Sequence, residues 1–193
     1  MKKINLNILL ALLFVALAFS SCDDDYTTPF TGSYTIERAV VVVPVEINVI
    51  YNATGKEMTY ILDDEDITSV IKSTLFGELP ACSGDSIIEL LDEGKLYIGC
   101  SEGVSIEAGT WTDDETKVSL DFKANVVPTI PDGFTMTLES PKINNGVFTS
   151  NASMVVPKAT IAILVEESGL ATLSDDNPDF FSFTFSFEMK SVN

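Results

Sequence analysis

The most constraining stretch of this chain is its last one. Phe181, Phe183, Phe185, Phe187 and Met189 alternate without a break with Ser182, Thr184, Ser186, Glu188 and Lys190. A period of two places all five large apolar side chains on one face of a strand and the polar ones on the other. A strand this long and greasy is an aggregation hazard if an edge is left open. It therefore belongs inside a closed or doubly paired sheet, and the rest of the chain has to supply its neighbours.

The supply is ample. Tyr34 and Ile36 oppose Thr35 and Glu37 in a β-branched run from Gly32 to Val43, which Pro44 ends. Val45, Ile47, Val49 and Tyr51 alternate up to a turn at Asn52-Ala53-Thr54-Gly55, and Met58, Tyr60 and Leu62 follow. Leu96 and Ile98, then Val104, Ile106 and Ala108, then Val118, Leu120 and Phe122 repeat the pattern around Asp92-Glu93-Gly94 and Asp113-Asp114-Glu115-Thr116. Ser86 to Leu91 reads as a strand or a helical turn, too short for periodicity to separate. Phe134, Met136 and Leu138 form another inward set, and Asn144-Asn145-Gly146 is a strong hairpin turn before Val147 to Val156. One helix is expected. Asp66 caps it, Ile67, Val70, Ile71 and Leu75 form its apolar stripe, and Gly77 stops it. Pro157 to Val165 fits either a helix stopping at Gly169 or a buried strand. Eight or nine strands at this spacing predict an all-β fold, an antiparallel barrel of about eight strands with one short helix, or alternatively a β-sandwich. An eight-stranded barrel is filled by side chains or holds one small ligand.

The first 21 residues are of another kind. Lys2 and Lys3 precede an apolar run from Ile8 to Phe19, then Ser20-Ser21-Cys22. The run is short of the roughly 20 residues a membrane-spanning helix needs, so residues 1–21 read as a cleaved signal. Its ending resembles a lipoprotein signal, with Cys22 the lipidated first residue of the mature chain; an ordinary secretory signal that leaves Cys22 a free thiol is the alternative. Several acyl chains on one residue anchor stably where one binds marginally. Residues 22–31 read as a polar tether and 32–193 as the folded domain. Asp23-Asp24-Asp25 resembles the surface-export signal of outer-membrane lipoproteins in one group of Gram-negative anaerobes. In enteric bacteria an Asp at that place instead means retention in the inner membrane. The reading adopted is the outer membrane, facing the exterior.

With Cys22 lipidated, Cys82 and Cys100 are left as an even pair in an oxidising compartment, which predicts a disulfide contributing about 3 kcal/mol in the chain-entropy view. A redox or metal role is the alternative. Around this pair the chain resembles the lipocalin-like lipoproteins of Gram-negative anaerobes. Cys82, a strand, Asp92-Glu93-Gly94-Lys95, a second strand to Cys100, then Gly109-Thr110-Trp111 and the strand through Phe122 follow the family's order. Gly32-Ser33-Tyr34 is similar to its Gly-x-Trp at the first strand, with Tyr34 in place of Trp. The resemblance covers about a third of the mature chain and implies a calycin-type barrel.

Composition narrows function mostly by exclusion. Lys and Arg number 11 against 29 Asp and Glu, and the formal net charge is −18. That excludes a basic nucleic-acid footprint. The sequence contains no histidine, which removes the usual general base near neutral pH and the commonest zinc ligand. Gly99-Cys100-Ser101-Glu102-Gly103 matches G-x-S-x-G, but a nucleophile elbow needs a following helix and a histidine base, so it reads as a turn. Paired acids for glycoside hydrolysis are inevitable among 29, and none is marked as special. The acids Asp63-Asp64-Glu65-Asp66 lack the spacing of a calcium loop. Neither metal, cofactor nor catalytic residue is expected. Asp85-Ser86-Ile87 resembles a short O-glycosylation motif, making Ser86 a modification candidate. Trp111 is expected in the core. Tyr34, Phe122, Phe134, Phe181, Phe183 and Phe185 are the candidates to line an apolar ligand cavity, against the alternative that they simply fill the core. The expectation is a non-enzymatic, lipid-anchored protein binding a small apolar or amphipathic molecule. The other reading is an accessory subunit of an outer-membrane uptake or adhesion complex, working through its loops with another membrane protein.

Overall fold

The computed structural model describes residues 30–77, 84–114, 116–127, 130–167 and 169–192. The leader, Cys22 and nearly all of the tether lie outside these residues, as does Cys82.

Eight antiparallel strands close into a barrel in the order β1 (Gly32–Val41), β11 (Phe180–Ser191), β9 (Val147–Pro157), β8 (Phe134–Asn144), β7 (Lys117–Phe122), β6 (Ser105–Asp113), β5 (Lys95–Cys100) and β4 (Ser86–Leu90), which returns to β1. The barrel alternative is therefore the one adopted, not the sandwich. β11 pairs on both sides, with β9 from Phe180↔Pro157 to Lys190↔Val147 and with β1 from Tyr34↔Ser191 to Val41↔Phe185. Its phenylalanines point inward, and Phe185 is wholly buried. Outward positions carry Ser182, Thr184 and Glu188 on β11, and Lys117, Ser119 and Asp121 on β7. Apolar-in, polar-out is the reverse of a barrel that faces lipid.

Turn chemistry accounts for the hairpins. Asn145 and Gly146 both take positive φ (51° and 76°) between β8 and β9, the backbone that Asn-Gly tolerates best. Gly109 meets a different demand. A Cβ built there would sit 1.8 Å from the Asp121 carbonyl oxygen on β7, so only glycine lets β6 approach β7 this closely.

One end of the barrel is closed by its own side chains. Phe30 and Tyr34 pack edge-on against Phe148, with ring centroids 5.7 and 5.8 Å apart. The Tyr34 hydroxyl donates to the Phe30 carbonyl at 3.0 Å. Phe30 already packs here, two residues before the expected domain start. At the same end Trp111, buried as expected, donates its indole N–H to the Leu91 carbonyl at 2.8 Å.

At the other end, two segments that alternate like barrel strands, Val45–Tyr51 and Lys56–Leu62, stand outside the barrel. Between β1 and β4 the chain forms β2 (Val45–Tyr51), β3 (Lys56–Leu62) and α1 (Thr68–Phe76). Between β9 and β11 it forms α2 (Lys158–Glu167) and β10 (Ala171–Leu173). The two insertions meet in a separate three-stranded sheet, β10-β2-β3. The ambiguous stretch after Pro157 is thus a helix, giving two short helices where one was expected.

Candidate functional site

Between this cap and the barrel mouth lies a cavity of about 430 Å³, within the size range of small-molecule sites. Each element around it contributes an apolar face. The sheet supplies Ile47 and Val49 from β2 and Tyr60 and Leu62 from β3. Helix α1 supplies Val70 and Ile71, and α2 supplies Ile161 and Val165. The barrel contributes Met154 and Val156 from β9 and Phe183 from β11, with Ile130 from the β7–β8 connection. Polar groups are few: Ser69, Thr74, Thr160, and the acids Glu65 and Asp66 just before α1.

Helix α1 is held over the mouth by a small relay. The Ala39 N–H donates to Thr68 Oγ1 at 2.8 Å, and that hydroxyl donates to Asp66 Oδ1 at 2.6 Å. The same oxygen accepts the Thr68 N–H at 2.9 Å. Asp66 is not the cap it was expected to be: Ile67 holds that position and makes no side-chain cap bond, while Asp66, one residue ahead, accepts from the first helical residue, Thr68. These bonds hold its carboxyl below the usual aspartate range. Backbone bonds from Val41 N to Glu65 O (3.0 Å) and from Ile67 N to Ala39 O (2.8 Å) add to the attachment.

Of the six aromatic candidates, only Phe183 lines this cavity. Tyr34 lies at the closed end. Phe122 and Phe134 stack on each other, centroids 4.5 Å apart and planes 8° off parallel. Phe134 also borders a separate cleft of about 320 Å³ with Phe180 and Pro157. Phe181 is buried, and Phe185 packs edge-on against Phe187 at 5.8 Å. Tyr34, Phe122, Phe181 and Phe185 are thus buried in the core and Phe134 is half-buried, as close packing favours. The missed lining lies on the insertions. Its one signal in the sequence was the Ile67, Val70, Ile71 stripe of α1.

Cys100 ends β5 on the cavity side of the barrel, and its expected partner Cys82 falls outside the described residues. Ser86 is half-buried at the start of β4, opposite Cys100 in the ladder, and not in an open loop. Gly99 to Gly103 runs from β5 through a turn into strand β6, without the helix a nucleophile elbow needs. Among the described residues no group of three or more His, Cys, Asp and Glu gathers as metal ligands.

No protein-family model matches the chain, and no curated protein matches it.

Proposed function

We propose that this chain is a non-enzymatic binding protein that holds one small apolar or amphipathic molecule between the barrel mouth and its cap. The observation that carries the reading is the roughly 430 Å³ cavity with apolar side chains turned into it from four strands of the barrel and cap sheet and both helices. Apolar walls with a few polar groups are what a small-ligand site requires. The closed antiparallel barrel supports kinship with lipocalin-like, calycin-type proteins, a fold-level analogy that by itself carries no ligand.

The same reading makes the protein a lipoprotein of the outer membrane, facing the exterior and anchored through Cys22. Phe30 docks at the closed end, and the stretch from Cys22 to Phe30 reaches at most about 29 Å. An anchor there attaches beside the closed end and leaves the cavity turned away from the bilayer. A Cys82–Cys100 bridge would tie the α1–β4 connection to the barrel rim. Support for it comes from the position of Cys100, which ends β5 on the cavity side opposite Ser86, the first residue of β4.

Native mass spectrometry of protein taken from its own cells tests the proposal. A retained mass of a few hundred daltons, lost on unfolding, is expected. A bare chain that also fails to take up any apolar probe would overturn it. A second reading, an accessory subunit of an uptake or adhesion complex, is favoured by β3. This edge strand exposes Met58, Tyr60 and Ile61 to 52%, 54% and 55%, an unusual density of apolar surface on a strand with one open side. Crosslinking from Ile61 to an outer-membrane protein in cells would support that role.

A further inference from the structure

We propose that the cavity selects amphiphiles with a cationic head over those with an anionic head. This rests on the binding reading above and specifies its ligand class.

The argument is one of charge placed around an apolar hole. Among the described residues Glu65 and Asp66 are the only ionised side chains in the lining, and both are acidic. Asp66 is held in its charged form by the Thr68 bonds. Among the described residues Glu65 takes part in no ion pair. The cations nearby are placed elsewhere. Arg38 acts on Asp66 only as the weakest of its influences and sits with Glu139 and Glu188 on the outer wall. Lys72 is exposed on α1 and is not in the lining. Lys158, at the start of α2, gives its ammonium to the carbonyls of Asp175 and Asn177 at 2.7 and 3.3 Å. Tyr60 lines the cavity and remains half exposed, so its ring offers a face to an ammonium group. An alkyl chain enters against Val156, Ile161 and Phe183, and its head stays at the acids. A carboxylate or sulfate head placed there meets two carboxylates of its own sign.

The test compares dodecyltrimethylammonium with dodecanoate, both below their micelle concentrations, by isothermal titration calorimetry on the full folded domain. The ammonium compound should bind about tenfold more tightly, with the gap narrowing as salt is raised. Because the whole chain is acidic, a control is needed for diffuse attraction. Glu65→Gln/Asp66→Asn should erase the preference. Asp92→Asn/Glu93→Gln removes the same charge at the β4–β5 turn of the closed end and should leave it intact. Equal binding of both compounds overturns the selectivity and leaves the binding reading standing. Loss of preference in both double variants overturns the role of the two acids. Binding of neither compound, nor of an uncharged dodecyl maltoside, sinks the binding reading itself.

Discussion

The Asn177 side chain pairs with the backbone of Asn48 in both directions: its Nδ2 donates to the Asn48 carbonyl at 2.7 Å, and the Asn48 N–H donates to its Oδ1 at 2.8 Å. A side-chain amide here does the work of a neighbouring strand, continuing β2's ladder where β10 stops. The Asn177 Nδ2 also donates to Ser174 O at 2.9 Å, and Ser174 N donates to Asn48 O at 2.9 Å. One buried residue thus joins the two insertions that make the cap. Asn177→Ala leaves the Asn48 N–H without its acceptor and should cost about 1–3 kcal/mol. Asn177→Asp should cost at least as much, because an acceptor then faces the Asn48 carbonyl. Urea unfolding measures both, and hydrogen exchange should show the loss concentrated in β2 and β10.

Acid should loosen the attachment of the cap. The Asp66 carboxyl is held low by the Thr68 side-chain bond above all, then by the Thr68 N–H. Since its folded value lies below the unfolded one, its contribution is fully present above the ordinary aspartate value of about 3.9 and is lost as pH falls through the folded value. Thr68→Val should raise the Asp66 midpoint in a carboxylate NMR titration. It also strips the acceptor from the buried Ala39 N–H, a further cost of about 1–3 kcal/mol.

Alkali should act at the opposite end. Burial pushes the Tyr34 hydroxyl above its ordinary value. For a phenol this means that the stabilising neutral form is favoured up to about pH 10 and that stability falls as pH rises through the higher folded value. Tyr34 should ionise above the ordinary phenol range in an ultraviolet titration. Tyr34→Phe should remove that step at a cost of about 1 kcal/mol, the worth of its bond to Phe30.

Gly109→Ala is expected to cost more than any surface change. The new methyl would strike the Asp121 carbonyl oxygen, a backbone atom that no rotamer can move aside. The strain of driving β6 from β7 is of the order of 3 kcal/mol or more. A loss under about 0.5 kcal/mol in thermal unfolding would show that the two strands separate freely.

Much of the barrel was legible because its strands keep strict two-residue alternation and its turns carry Asn-Gly or Gly at positive φ. β11 announced both its inward face and its need for two neighbours. The cap was not legible for a related reason. β2 and β3 alternate just as barrel strands do, yet β3 is exposed along nearly its whole length, and alternation alone does not say which sheet a strand joins. Pro157 to Val165 was ambiguous because a short apolar run suits either state; its contacts with β10 and β9 settle it as a helix. The aromatic candidates were chosen as large and inward, which describes a packed core equally well. A cavity arises where distant insertions fail to fill the space between them, and no single stretch records that.

The central claim is that the space under the cap is the binding site. Its most direct test is uptake of an apolar fluorophore by the wild-type protein and by Val156→Phe and Val49→Phe, which push a ring into the cavity from the barrel and from the cap sheet. Trp111, at the far end, reports folding independently of the site. The account predicts saturable one-to-one binding that falls at least tenfold in both variants while their unfolding midpoints stay close to wild type. Equal binding by all three folded proteins would contradict it.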